Sequence, residues 1–438
     1  MCRTVERPIP SGRFHLIVLC ILVSYLQGCA VMNSIQKISS PFPVYPENQL
    51  ERNTFSVVKG SDVIGRMAII RLEEGDTLPD IARHFSLGIN AVNAANPGVD
   101  VWVPDAGGRI VLPLRFILPD APRKGIVINL AAMRLFHYKG DNDALVVTTY
   151  PVGVGTTERP TPTGQMQVVR KVTRPTWYVP ASIAEDHRKK GDPLPAAVLP
   201  GPQNPLGEYA LYLSKASYLI HGTNKPASIG LNATNGCLRL YPEDVKRLYE
   251  NTPVHTPVCI VNQPYLIGQR NGIVYMEVHA SPEGSGADEL EKMYNKLRTI
   301  EKVSGRTLDW KNIERTLSEA RGIPVPILEM EQGRWFEPTI EVMHPGTLYG
   351  RPEIPELNAE AWYVWAADLN DRTEALRIAA IISHQGPPIP ARVISRSNGY
   401  RVIAGPYNDI SEAKDTVKRL KIDLEIDGIV IEPAAKHP

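Results

Sequence analysis

The sequence predicts a multidomain chain: a mainly-β central domain, a small α/β module of strand–helix–helix–strand order (βααβ) before it, and an α+β ferredoxin-like module (βαββαβ) after it. Three observations predict this. A chain of 438 residues exceeds what one hydrophobic core usually organises. From Gly125 to Asn262 the apolar runs are of strand length, rich in β-formers and divided by turn signals. On either side, helical spacing alternates with short apolar strands. Hydrophobic residues at 43% and charged residues at 22% argue against disorder and against a multi-span membrane protein. A net charge of +1 argues against a nucleic-acid partner, whose binding rests on many Lys and Arg contacts to phosphate. The 39 prolines point to turns, edge strands and linkers.

At the N-terminus, Arg3, Arg7 and Arg13 precede an apolar run from Phe14 to Leu26 that is too short to span a bilayer comfortably. Residues 1–28 therefore read as an export signal. Leu26-Gln27-Gly28-Cys29 resembles a bacterial lipobox, which implies that Cys29 is lipidated as the first residue of the mature chain. Ala30 stands where an aspartate would favour the inner membrane, so the resemblance implies a periplasmic protein held by a lipid anchor at the inner leaflet of the outer membrane. Cleavage removes Cys2 and Cys20 and leaves Cys237 and Cys259. Cys259 lies in the apolar run Pro257–Val261, which reads as a buried strand where a thiol behaves as a small hydrophobe. A Cys237–Cys259 disulfide is the alternative in an oxidising compartment.

Residues 29–66 read as a tether. Residues 67–114 give a strand (Ala68-Ile69-Ile70), a helix opened by Gly75-Asp76-Thr77-Leu78, a second helix through Val92 closed by Asn96-Pro97, and a strand (Ile110-Val111-Leu112-Pro113). This resembles a LysM module, which implies binding to a glycan containing N-acetylglucosamine.

The central domain, 125–263, opens with strands at Ile126–Leu130, Met133–Tyr138 and Ala144–Tyr150, and turns at Thr161–Gly164 before another. The Pro-rich passage from Pro175 to Pro205 reads as a lid or binding loop, with His187-Arg188-Lys189-Lys190 as a solvated charged surface. Then comes His221–Leu240, HGTNKPASIGLNATNGCLRL, too rich in Gly, Asn, Ser and Thr for a helix interior. Its cysteine and histidine are the first candidates for chemistry. A cysteine attacks carbonyls as thiolate and needs a nearby base or cation to lower its pKa. His221 can take the thiol proton and return it to the leaving amine. The Gly236–Cys237 turn offers backbone N–H groups to an oxyanion. Thr234, Asn235 and Gly222 are further candidates for oxyanion binding or orientation. Arg239 can bind a substrate carboxylate or form a structural salt bridge, and Asn224 is a second substrate-binding candidate.

His221-Gly222-Thr223-Asn224 followed by Thr234-Asn235-Gly236-Cys237-Leu238-Arg239-Leu240 closely resembles the signature of the L,D-transpeptidases (YkuD-type domain). Thr161–Gly164, Asn204-Pro205-Leu206-Gly207 and Tyr241-Pro242-Glu243-Asp244 resemble the ErfK-type branch. Thr234 replaces the usual Ser and Asn235 the frequent His; neither change removes the nucleophile or the base. The resemblance implies an acyl transfer on peptidoglycan without cofactor or metal. Cys237 would attack the diaminopimelate carbonyl of a tetrapeptide stem, release D-alanine and pass the acyl group to an amine. That amine is the lysine of a Braun-type outer-membrane lipoprotein or a second diaminopimelate. The alternatives are a thiol carboxypeptidase using water as acceptor and a non-catalytic anchor that only binds the wall.

Residues 264–359 read as a strand and helix extension, with strand character from Ile267 to Val278, one amphipathic helix over 287–321 and a Pro-rich linker from Gly322 to Leu357. Residues 360–433 give strands at Trp362–Trp365, Ala391–Ile394, Tyr400–Tyr407 and Gly428–Ile431, with helices at Thr373–Ser383 and Ser411–Leu420. That order, with Tyr400-Arg401-Val402-Ile403-Ala404-Gly405-Pro406-Tyr407, resembles a SPOR module, which implies binding to septal glycan stripped of stem peptides.

Overall fold

The computed structural model describes residues 42–140, 144–280, 287–329 and 338–434; the export signal and Cys29 lie outside them. Among the early elements, in chain order, are β1 (Thr54–Ser56), β2 (Ala68–Arg71), α1 (Leu78–His84), α2 (Ile89–Ala95) and β3 (Arg109–Leu112), with β2 and β3 antiparallel. Helix α1 begins where Thr77 caps it, its hydroxyl accepting from the Asp80 N–H at 3.2 Å and donating to the Asp80 carboxylate at 2.8 Å. Buried Asn96 joins the end of α2 to β3, donating to the Val92 and Val111 carbonyls and accepting from the Val111 N–H at 2.7 Å.

The described part of 29–66 is not a tether. Strand β1 adds an edge to the central sheet, Val63–Gly65 pairs with Arg115–Ile117, and Leu50, Phe55 and Val57 are buried. Phe55 and Val57 alternate with polar neighbours, so the chain is held by one apolar face too short to stand out among prolines and serines. The same core continues from Ile70, Leu78, Phe85 and Val92 into Val127, Phe136, Tyr138 and Val147 of the central sheet.

The central domain contributes β4 (Gly125–Asn129), β5 (Arg134–Lys139), β6 (Val146–Pro151), β7 (Gly164–Thr173), α3 (Ala181–Lys189), β8 (Tyr209–Leu213), β9 (Leu219–His221), β10 (Leu238–Arg239), α4 (Pro242–Asn251) and β11 (Pro257–Val261). With β1 these strands form a nine-stranded mixed sheet in the order β10-β9-β8-β7-β11-β4-β5-β6-β1. A second core fills the β7–β10 end, where Ile220, Leu238, Leu240, Val245 and Leu248 pack below the site. The two cysteines among the described residues, Cys237 and Cys259, are free, and Cys259 is buried in β11.

Beyond 263 the chain departs from an extension plus linker. The run to Val278 is a hairpin, β12 (Tyr265–Arg270) and β13 (Ile273–Val278), turning at Asn271-Gly272, both left-handed at φ of 53° and 73°. The single helix expected over 287–321 is two, α5 (Ala287–Ser304) and α6 (Trp310–Glu319), parted at Gly305 with φ of 64°. Their apolar faces and Ile327 and Leu328 close a core on the hairpin. The Pro-rich segment is anchored as well: β14 (Ile340–Val342) pairs in parallel with β2, and Leu348 is buried. Two β-branched residues, Ile340 and Val342 on either side of Glu341, suffice for an inserted strand between Pro338 and Pro345.

The last module is β15 (Trp362–Leu369), α7 (Arg372–Ser383), β16 (Ala391–Arg396), β17 (Gly399–Tyr407), α8 (Ile410–Leu424) and β18 (Ile429–Ile431). Its antiparallel sheet runs β16-β17-β15-β18, and both helices bury Ala375, Ala379, Ile382, Ala413 and Leu420 on one face. Among the described residues no helix is long and apolar enough to cross a membrane.

Candidate active site

The sheet itself brings the histidine and the cysteine together. Strand β9 ends at His221 and β10 lies parallel to it, with Ile220 opposite Leu238 and His221 opposite Arg239. Cys237 is the residue that enters β10, so its side chain opens into the same cleft as His221. That cleft, about 790 Å³, is walled by His221, Thr234, Asn235, Cys237 and Arg239 on one side and by Trp177 and Tyr178 of the Pro-rich passage on the other. Cys237 is half-buried, and its Sγ lies 3.6 Å from the Ser217 carbonyl.

His221 is almost fully buried, and its Nδ1 lies 2.7 Å from the Gly222 carbonyl. A carbonyl can only accept, so Nδ1 carries the proton and Nε2 keeps its lone pair. Burial, reinforced by the positive charge of Arg239, pushes the imidazole pKa down to about 3. Burial also pushes the Cys237 thiol up, opposed by the Leu219 N–H and the Arg239 charge. The resting cleft thus holds a neutral thiol and a neutral imidazole, rather than the thiolate anticipated from cysteine chemistry. Desolvation outweighs the single nearby cation.

The turn before the nucleophile corrects one assignment. Gly236 adopts φ of 99°, and an added Cβ would lie 2.8 Å from the Tyr218 ring. The Gly236 N–H is not free for an oxyanion, because it donates to the Thr234 hydroxyl at 3.2 Å, which in turn donates to the Cys237 carbonyl at 2.6 Å. Thr234 therefore shapes the turn, and among the described residues the Cys237 N–H has no acceptor. Gly222 orients His221 through its carbonyl, and its own N–H donates to the Tyr209 carbonyl.

Arg239 donates to the Ser228 hydroxyl at 3.0 Å, while its Nε is buried with no partner. Among the described residues no carboxylate pairs with it, so it is not a structural salt bridge. Asn224 is outside the cleft; its amide donates to the Pro202 carbonyl at 3.4 Å, because the chain turns away after Thr223. Sequence reasoning missed Arg159, which donates to Asn235 at 2.5 Å, and Asn204, whose buried amide ties together the two ends of the Pro-rich passage through the Pro175 and Val198 carbonyls. Asn204 lay within a recognised motif; Arg159 had no signal beyond its place before a Thr-Pro turn.

A thiol and a correctly tautomerised imidazole at one end of a strand-rich domain, in a cleft lined by the Pro-rich passage and by a guanidinium that no carboxylate pairs among the described residues, are the parts of a cysteine acyltransferase. The family model described as L,D-transpeptidase catalytic domain matches residues 123–260, and that of the SPOR domain matches 358–432. Similar curated proteins are the probable L,D-transpeptidase ErfK/SrfK of Escherichia coli K12, 35% identical over 61% of this chain and 88% of the relative, and the probable L,D-transpeptidase YbiS of the same strain, 37% identical over 61% and 89%. The probable L,D-transpeptidase YcfS of that strain is 39% identical over 50% and 70%. The chain belongs to the L,D-transpeptidase family, is an enzyme, and carries a SPOR domain.

Proposed function

We propose that this enzyme transfers an acyl group within peptidoglycan, with Cys237 as nucleophile and His221 as general base and acid. The observation that carries the reading is the 2.7 Å bond from His221 Nδ1–H to the Gly222 carbonyl, which leaves Nε2 as the base of the cleft that holds Cys237. As Sγ bonds to the diaminopimelate carbonyl carbon of a tetrapeptide stem, its proton passes to Nε2. The oxyanion is met by the Cys237 N–H. Collapse breaks the bond to D-alanine, whose nitrogen takes the proton from Nε2, leaving a thioester. An acceptor amine then attacks the thioester, gives its proton to Nε2 and displaces the thiol, which is reprotonated. Arg239, whose Nε is buried without a partner and which no carboxylate pairs among the described residues, binds a carboxylate of the stem.

The same reading places the protein in the periplasm, tied to the outer membrane by lipidated Cys29. Residues 67–114, as a LysM-like module, and the SPOR domain would hold the glycan on either side of the catalytic domain. The acceptor is the lysine of a Braun-type lipoprotein or a second diaminopimelate. Incubating the protein with tetrapeptide muropeptides, with and without a lysine-terminated lipoprotein peptide, identifies it by product mass. Release of D-alanine without a joined product would instead indicate water as acceptor, and no release at all would leave a wall-binding anchor.

A further inference from the structure

We infer that Arg159 is a second substrate-reading residue: it recognises a carboxylate of the incoming stem peptide, and Asp186 of the lid helix occupies its place until the stem arrives. This inference rests on the acyl-transfer reading above.

The geometry points to it in three ways. Arg159 lines the cleft, and one of its terminal nitrogens, Nη1, donates to Asn235 Oδ1 at 2.5 Å, two residues before the nucleophile. The other, Nη2, donates to Asp186 Oδ2 at 2.7 Å, on α3. The guanidinium thus bridges the catalytic loop and the lid across the mouth of the cleft. Second, α3 buries none of its own residues. The Pro-rich passage is tied down at its ends by Asn204, at α3 by Arg159–Asp186, and just beyond α3 by Lys418 of the C-terminal module, 3.0 Å from Asp192. With side chains 36% and 48% exposed, Arg159 and Asp186 form a pair of the weak, screened kind that another carboxylate can displace. Third, the charge of the cleft suits an anion. Among the described residues its wall holds two guanidiniums, Arg159 at the rim and Arg239 beside Cys237; the carboxylates near them are Glu158, exposed at the mouth, and Asp186, the one that an incoming stem would displace. Two separated cations match a substrate bearing several carboxylates, as a tetrapeptide stem does: on its glutamate, on the distal centre of diaminopimelate and on the leaving D-alanine. A planar fork already holding one carboxylate can hold another in its place.

The experiment measures steady-state kinetics of the full chain on tetrapeptide muropeptides, comparing the parent with Arg159→Gln and Asp186→Asn. A third arm uses stems amidated at one carboxylate at a time. Loss of one charge-assisted contact is expected to raise KM about tenfold in Arg159→Gln. Asp186→Asn removes the competitor and is expected to lower KM. Amidating the carboxylate that Arg159 reads raises KM in the parent and leaves Arg159→Gln unchanged, and this arm names the carboxylate. A purely structural latch predicts something else: both variants shift KM in the same direction, or every amidation costs the variant as much as the parent. Either result overturns the inference. Stoichiometric labelling of Cys237 by a carbapenem-type agent reports the folded fraction of each variant. A parent that labels but releases no D-alanine overturns the acyl-transfer reading itself, and this inference falls with it.

Discussion

The neutral thiol–imidazole pair decides how the reaction must depend on pH. Above about pH 3 His221 is the neutral imidazole, carrying its one proton on Nδ1, and Cys237 keeps its own beyond the ordinary thiol range. Acylation of Cys237 is therefore expected to show no ionisation between about pH 5 and 8, where a free imidazole titrates at about 6.5. Single-turnover labelling across that range checks this; a limb centred near 6.5 would mean that His221 is solvated and works as an imidazolium. Arg239 acts on both members of the pair, lowering the pKa of each. Cys237 and His221 were legible because the residues around them are contiguous. The neutral pair was not, since desolvation comes from the burial of His221 in the folded sheet, which no local run of residues reveals. Arg159 was equally out of reach, because its partner Asn235 lies far along the chain and only the folded sheet sets the two side by side.

Two short elements fix the catalytic geometry. The first is the turn at Gly236, whose left-handed φ costs a residue with a side chain about 1 to 2 kcal/mol before any clash is counted. Gly236→Ala would push against the Tyr218 ring and displace Cys237. Because a misplacement of about 1 Å can cost roughly a hundredfold in rate, kcat/KM is expected to fall by about that factor while far-UV circular dichroism stays unchanged. The second is the first turn of α4, where Asp244 is buried one residue before Val245, the side chain against Gly222. Burial, together with the neighbouring Glu243 charge, raises the Asp244 pKa to about 7. Its folded pKa lies above the unfolded value near 3.8, so the stabilising proton is lost as pH rises through that window. Asp244→Asn is expected to gain stability relative to the parent between pH 5 and pH 8, read from denaturant midpoints; a constant difference would show that the carboxyl is not desolvated. Strands were legible as elements from their β-branched runs. The hairpin at 265–278 carries its turn signal in Asn271-Gly272 between two apolar runs, so it was legible although one continuous strand was expected; the Pro-rich segment hid β14 because its partner β2 is far away in sequence.

Across the whole molecule, two kinds of interface join the modules. Residues 67–114 share an apolar core with the central sheet. The C-terminal module is held by ion pairs, Arg377 with Asp100 at 2.5 Å, Arg372 with Glu74 at 3.3 Å, Lys225 with Asp423 at 3.8 Å and Lys418 with Asp192 at 3.0 Å, and by His384, which hydrogen-bonds Asp80 at 3.0 Å and packs on the Trp102 ring. Most of these charges are partly exposed, so salt screens them while leaving the apolar core intact. Raising ionic strength from about 0.05 to about 1 M, where the screening length falls to about 3 Å, is expected to release the C-terminal module about the exposed stretch at 353–360. Small-angle scattering would then record a larger radius of gyration; an unchanged radius would mean that the interface is held by packing. The module order was legible in the sequence, but the fusion of the first module to the sheet was not, because a shared core has no local signature.

The central claim is that Cys237 carries the acyl group. The most direct measurement is intact-protein and peptide mass spectrometry after brief incubation with a tetrapeptide muropeptide, using the parent chain and Cys237→Ala. The account predicts an adduct equal to the stem minus D-alanine on the peptide containing Cys237, and neither adduct nor transfer in a Cys237→Ala protein that melts as the parent does. Transfer at the parent's rate by that variant, or an adduct on any other residue, would contradict it.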